Sequence, residues 1–284
     1  GARGLDHIRF LSADSLEGRL AGSAGNRKAR DYITSVYRSL GLSMYEGTYV
    51  EPFDFQVEGE RRQGSNVVGY VEGTEQPDRF IVVTAHFDHL GVQGGEVYNG
   101  AFDNAAAVAM SLEIARVFLS GEVILGRSII FLFTDDEESG LDGSKAWIED
   151  ATVPVEDIVL GVSADPLGRP LLPDYSPMVL IGLDRSPALE ERFRELAWLS
   201  EVDVHFIHRD VVPVFSSDQD SFYNASWPVP AVWMTNPGFS FYHTPDDTPE
   251  TIDYRVLLDD VHRSVVVQKA CVGPVLADRT LPIL

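Results

Sequence analysis

Only one cysteine, Cys271, stands in the whole chain of 284 residues. A lone thiol cannot close a disulfide within the chain, so the fold is not a disulfide framework. Its position in an apolar C-terminal stretch suits a small core residue. Basic residues are also scarce: 22 Lys and Arg face 44 Asp and Glu, a formal net charge of −22. That balance argues against nucleic acid and against anionic membrane surfaces as partners. Three metal-binding carboxylates would not account for the excess, and a heavily hydrated acidic surface of the salt-adapted kind is one reading of it. No run approaches the ~20 apolar residues of a membrane span. Internal repeats, low-complexity tracts and linkers are missing as well, and the chain opens at Gly1 without an apolar signal region.

What remains is an ordinary globular composition, 44% hydrophobic and 23% charged. The length suffices for a sizeable core, and residues 1–284 are expected to form a single domain. Short apolar runs read as buried strands: Ser65–Val71, Phe80–Ala85, Ser128–Thr134, Ile158–Ser163, Met178–Leu183 and Val229–Thr235. Tyr49–Gln63 alternates and suggests further strands. Helical spacing appears in Ser23–Leu40, closed by Gly41, and in Asn104–Leu119, Pro187–Leu199 and Tyr254–Leu276. Buried strands alternating with amphipathic helices predict an α/β fold. Its twisted central sheet would be mainly parallel, with helices on both faces.

The chemistry collects at the ends of those apolar runs, where an α/β sheet presents catalytic groups. His86, Asp103, Glu138, Asp165 and His243 are candidate metal ligands, and Glu137 sits beside Glu138. Two metals sharing a carboxylate can activate one water and polarise one carbonyl. In His86-Phe87-Asp88-His89, Asp88 is the candidate to orient the His86 ring. His89 is expected to diverge from His86 at a strand end and to serve as a hydrogen-bonded loop residue. Asp103 follows small residues and could bridge two metals, or cap the helix that follows. Asp135, Asp136, Glu137 and Glu138 would repel one another without a cation. The alternative for them is a solvated acidic loop. His243 gains weight as the fifth member of an ordered set. His, Asp and Glu donors suit zinc, with cobalt or manganese possible by geometry alone. His7, His205, His208 and His262 lie outside these motifs and are expected to be surface or core residues.

Several motifs then carry a specific resemblance. They are Ala85-His-Phe-Asp-His-Leu-Gly91, Asn99-Gly-Ala-Phe-Asp-Asn104, Asp136-Glu-Glu-Ser-Gly-Leu-Asp-Gly-Ser144, Asp165 with Gly168-Arg169, Ser217-Asp-Gln219, and Tyr242-His-Thr-Pro-Asp-Asp-Thr248. In this order they resemble the zinc aminopeptidase family, which includes bacterial leucyl aminopeptidases, glutamate carboxypeptidase II and glutaminyl cyclases. The segment Asp14–Ser23 resembles the family's opening helix and loop. The resemblance implies a phosphorylase/hydrolase-like zinc-peptidase domain with two Zn²⁺, or one if cyclase-like. His86 and Asp165 would hold one zinc, Glu138 and His243 the other, and Asp103 would bridge them. Glu137 would be the general base, Asp88 would orient His86, and the Asp103–Asn104 peptide would be cis.

Three positions depart from the usual pattern: Phe102 where many relatives are acidic, Ser163-Ala-Asp-Pro166 in place of Asn-(Leu/Phe)-Asp-Met, and Ser216 where an arginine is common. Too few residues separate Asp165 from His243 to hold an inserted dimerisation domain. The expected activity is removal of the N-terminal residue from peptides with a free N-terminus. The aromatic residues Phe87, Tyr98, Phe241 and Tyr242 flank the motifs, and Tyr98, Phe241 and Tyr242 are the candidates to bind an apolar substrate side chain. A glutaminyl cyclase, or a non-catalytic binding module on the same fold, are the alternatives. The resemblance also implies a secreted or periplasmic setting.

Overall fold

Eight strands in one sheet carry the whole arrangement in the computed structural model, which describes residues 2–57, 59–121, 123–199, 203–212 and 216–272. In chain order the strands are β1 (Val50–Val57), β2 (Glu60–Val71), β3 (Gln76–His86), a small hairpin of β4 (Val92–Gln93) and β5 (Glu96–Val97), β6 (Arg127–Thr134), β7 (Ile158–Ala164), β8 (Met178–Ile181), β9 (Val204–Ile207) and β10 (Ala231–Thr235). The large sheet runs β1-β2-β6-β3-β7-β10-β8-β9. Its four central strands, β6, β3, β7 and β10, are mutually parallel. Antiparallel pairing enters on the flanks, where β2 meets β1 and β6, and where β8 meets β10.

The helices are α1 (Ala2–Leu11), α2 (Ala24–Leu40), α3 (Ala106–Leu119), α4 (Glu137–Gly140), α5 (Asp142–Glu149), α6 (Pro187–Leu199), α7 (Gln219–Tyr223) and α8 (Tyr254–Val272). Strand parity explains how they cover both faces. Ile81, Val83, Ala85, Ile129, Phe131 and Phe133 point into one core with Ile33, Ala107 and Leu112 of α2 and α3. The intervening Phe80, Val82, Ile130 and Leu132 pack with Trp147 of α5 and Phe222 of α7 on the other face. With apolar side chains on both sides, β3 and β6 read as continuous hydrophobic runs, as buried parallel strands do.

Helix α2 starts where the sequence has a cap. Ser23 Oγ accepts the Asn26 N–H at 3.1 Å, and Gly41 closes the helix at φ 81°. Helix α3 starts two residues later than its periodicity suggests. Ala101–Ala105 forms a wide turn in which Asp103 and Asn104 leave helical geometry and are joined by a cis peptide bond. Helices α1, α4, α5 and α7, the β4–β5 hairpin and β9 are additions to the pattern read from sequence. All but α1 are eight residues or shorter, too short for a clear period. Residues 273–276 of the expected last helix, and the side chain of Cys271, lie outside the described residues. Among the described residues, no helix is long and apolar enough to cross a membrane.

Candidate metal centre

His86 is the last residue of β3, Glu137 and Glu138 follow β6, Asp165 follows β7, and His243 lies in the loop beyond β10. All therefore stand at the C-terminal ends of the four parallel strands, and Asp103 reaches the same spot from the turn before α3.

The two oxygens of Asp103 divide the group into two clusters. Oδ1 lies 3.0 Å from His86 Nε2, and that nitrogen is 3.3 Å from Asp165 Oδ1. Oδ2 lies 3.0 Å from His243 Nε2, which is also 3.0 Å from Glu138 Oε2. Yet Asp103 Oδ2 and His243 Nε2 are buried atoms without a properly angled hydrogen bond. Donor atoms that crowd to 3 Å without bonding one another share a focal point, which is what metal ligands do. His86, Asp103 and Asp165 offer one such set of three, with ligand atoms within 4.8 Å. His89, Asp103 and Glu138 offer another. The residues thus offer two donor sets that share Asp103 and could hold metal.

His89 corrects the expectation of divergence. Its ring is fully buried, its Nδ1 is 2.6 Å from Glu138 Oε1, and it lies 3.9 Å from Asp103 Oδ2. His86 and His89 therefore converge on Asp103 from opposite sides. The strand ends at His86, and the loop then turns back against the N-terminal segment, where the His89 N–H meets Arg19 O at 3.4 Å and the Gly91 N–H meets Gly18 O at 3.1 Å. Gly100 makes room for this packing. A Cβ there would lie 2.6 Å from the His89 ring and 2.3 Å from Asp103 O, and its φ is 58°.

Asp88 does more than face His86. Its Oδ1 is 3.4 Å from His86 Nδ1, and its two oxygens accept the backbone N–H groups of Glu137 at 3.2 Å and Glu138 at 3.4 Å. The four-acid run resolves its own repulsion in part. Asp135 accepts from Asn26 Nδ2 at 2.8 Å and from the N–H groups of Ser65 and Asp136 at 3.0 Å each. Asp136 accepts from Ser139 Oγ at 2.7 Å. Burial pushes the Asp135 carboxyl up to about 8 and that of Asp136 up to about 7.

Burial also raises Glu137 well above the usual carboxylate range. His86 opposes that shift, while Asp165, Asp218 and Glu138 add to it. For His243 the burial effect, which would lower its pKa, is outweighed by Asp103 and Glu138, which raise it to about 10. A pocket that draws protons this strongly onto imidazoles is one that attracts cations.

The aromatic candidates separate. Tyr242 stacks on His243, with ring centroids 3.8 Å apart, and Phe241 stands at the rim with 47% of its surface exposed. Tyr98 is half-buried at the foot of the β4–β5 hairpin, where its N–H bonds Gly91 O at 3.0 Å. Phe87 is buried in the core, where it continues the face of Ile81, Val83 and Ala85. Asp218, from the Ser217-Asp-Gln219 motif, is buried and accepts from Thr134 Oγ1 at 2.6 Å.

Sequence reasoning gave no role to Asp247. Its carboxylate accepts the N–H groups of Phe102 at 2.8 Å and Asp103 at 3.1 Å, and it pairs with Arg169 at 2.6 Å, so it fixes the turn that aims Asp103. The only signal was that Asp247 and Arg169 both fall in the quoted motifs.

The chain is similar to several known proteins. Residues 66–265, well over half of the chain, match Peptidase family M28. A Schizosaccharomyces pombe protein named as an endoplasmic reticulum metallopeptidase 1 is 30% identical over 178 residues, covering 56% of this chain and 21% of that protein. The chain spans about a fifth or less of the length of the first curated relatives it matches. Among solved structures, a zinc aminopeptidase from Bacillus subtilis superposes with a TM-score of 0.78 at 16% identity, over 100% of this chain and 97% of that one. A Porphyromonas gingivalis glutaminyl cyclase gives 0.76 at 18% identity, over 95% and 98%. At these identities the two likenesses establish the fold.

Proposed function

The chain therefore belongs to Peptidase family M28, and on that premise we propose that it is a metal-dependent exopeptidase that releases the N-terminal residue of peptides. The observation that carries this reading is the pair of donor clusters sharing Asp103, with Glu137 beside them.

His86 and Asp165 would hold one Zn²⁺, Glu138 and His243 the other, and Asp103 both. Bound divalent ions would supply positive charge that acidifies water and polarises a carbonyl. The remaining steps belong to the chain's own residues. Glu137 takes a proton from water as the water oxygen bonds to the scissile carbonyl carbon. It returns that proton to the leaving nitrogen as the C–N bond breaks. Burial, the largest cause, raises its pKa, the direction that makes a carboxylate a stronger proton acceptor. Asp88 holds the Glu137–Glu138 turn through two backbone N–H groups and keeps Glu137 within reach. His89 donates to Glu138 and steadies that carboxylate.

Carboxylates around the centre would attract a substrate ammonium and disfavour acidic first residues. Tyr242 and the exposed Phe239 and Phe241 give the entrance an apolar character. Such a pocket discriminates by only ~1–3 kcal/mol per methylene, so several apolar first residues should be accepted.

Glutaminyl cyclase is the second reading, supported by a fold likeness nearly equal to that of the aminopeptidase. The test compares leucyl, phenylalanyl, glutamyl, glutaminyl and acetyl-leucyl substrates, after metal content has been measured and again after chelation. Metal-dependent release of leucine or phenylalanine, blocked by the acetyl group, is expected. Faster cleavage of the glutamyl or acetylated substrate would overturn it. Ammonia released from the glutaminyl substrate without hydrolysis of the others would favour the cyclase.

A further inference from the structure

Arg19 is fully buried, lies at φ 51°, and makes no ion pair among the described residues. Its guanidinium donates to four backbone carbonyls instead: Phe87 O at 2.7 Å, Asn99 O at 2.6 Å, Gly100 O at 3.0 Å, and Leu11 O. Phe87 lies between His86 and Asp88. Asn99 and Gly100 open the turn that ends at Asp103. One planar fork therefore joins the loop carrying His86 and His89 to the turn carrying the shared carboxylate.

The backbone of Arg19 extends the tie to a third loop. Its carbonyl accepts from the His89 N–H at 3.4 Å and from Asn26 Nδ2 at 3.2 Å. Asn26 Nδ2 also donates to Asp135 Oδ1 at 2.8 Å, just ahead of Glu137 and Glu138. The preceding Gly18 is wedged so closely that a Cβ would lie 2.4 Å from Gly91 O and 2.5 Å from Tyr98 O. A buried cation that bonds only to main chain is costly unless its geometry is used. Four carbonyls from three separate segments are a reason for arginine in particular, since an ammonium is a point charge without a fork.

We propose that Arg19 is a positioning residue of the metal centre: it sets the distance between the His86–His89 loop and the Asp103 turn, and so determines how tightly the two donor clusters hold Zn²⁺. The inference rests on the metal-centre reading above. A chain that takes up no Zn²⁺ would sink that reading. Normal Zn²⁺ uptake that ignores Arg19 would sink only this inference.

The experiment compares the full chain with Arg19→Lys and Arg19→Ala. Zn²⁺ affinity is titrated against a chromophoric chelator, and the visible absorption of the Co²⁺-loaded proteins reports ligand geometry. A purely structural role would lower the urea midpoint of the metal-free protein and leave both readouts unmoved. The expected result is parental far-UV circular dichroism for Arg19→Lys, Zn²⁺ binding weaker by ~10-fold or more, and a changed Co²⁺ spectrum. Millimolar guanidinium ion should restore part of the affinity in Arg19→Ala. An Arg19→Lys protein with Zn²⁺ affinity within about twofold of the parent and an unchanged Co²⁺ spectrum would overturn the proposal. So would an Arg19→Lys protein that fails to fold, because the role assigned is confined to the centre.

Discussion

The carboxylate of Asp88 accepts the backbone N–H of Glu137 at 3.2 Å while facing His86 Nδ1 at 3.4 Å. One side chain thus links the orientation of a ligand ring to the start of the turn that carries the base. Asp88→Asn keeps the shape but loses the charge and turns an amide toward one of the N–H groups. Activity or Zn²⁺ affinity should fall ~10–100-fold, as for partners of metal ligands in general. Turnover and metal content measured together decide it, and parental values for both would refute the linkage.

Glu137→Gln should keep its metal and lose hydrolysis. The amide is nearly isosteric and cannot take up a proton, so turnover should drop by ~10² or more. Elemental analysis beside a leucyl anilide assay separates the two effects. Near-normal turnover would remove Glu137 from its role.

His89 and His243 meet Glu138 from different sides, at 2.6 Å and 3.0 Å. His243→Ala should lose one metal equivalent outright. His89→Ala should retain both equivalents with affinity reduced ~10-fold, because the ring orients the carboxylate. If the losses come out reversed, His89 is the ligand and His243 its neighbour.

Asp260 offers a test of stability away from the centre. It is fully buried, with Oδ1 3.4 Å from Asn236 Nδ2 and 3.2 Å from Arg263 Nη1. Burial pushes its carboxyl up to about 7, against the opposing pull of Arg263. The folded value lies above the ~3.9 of an unfolded aspartate, so the native state binds the extra proton between the two. The associated stability is complete below pH ~4 and is lost as pH rises through about 7. Urea midpoints should therefore decline from pH 5 to pH 8. Asp260→Asn should flatten that decline by a difference on the order of 1 kcal/mol or more. An equal slope in the variant would show that Asp260 does not titrate there.

The parts legible in sequence are those decided by local pattern. Phe80–Ala85, Ser128–Thr134 and Ile158–Ser163 lie within β3, β6 and β7 because both faces of each strand are apolar. His86, Glu137, Glu138 and Asp165 are brought together because neighbouring parallel strands end along one edge of the sheet, and Asp103 and His243 reach the same place from loops. What stayed hidden depends on contacts between distant segments. Arg19 reaches Phe87 across 68 positions, and Asp247 reaches Phe102 across 145, each through main-chain groups that leave no mark in composition. The convergence of His89 follows from the path of its loop against Gly18 and Arg19. Phe87 is a different case. Its burial continues the two-residue alternation of Ile81, Val83 and Ala85, so the signal was present.

Strand β1 forms one margin of the eight-stranded sheet, and its composition bears on how the protein behaves when concentrated. An open margin is a template on which a strand from another molecule can grow. Pro52 lies within β1 and has no N–H to donate. Proline is accepted in a marginal strand only with its nitrogen turned away from the ladder, so it leaves a gap in the outward row of donors. Two residues on, Asp54 forms an exposed ion pair with Arg61 of β2, which adds hydrated charge beside that gap. An incoming strand would have to bridge the missing donor and strip water from the pair. Sheet extension from this side, the first step toward fibrous polymerisation, is disfavoured by the same residues that complete the fold.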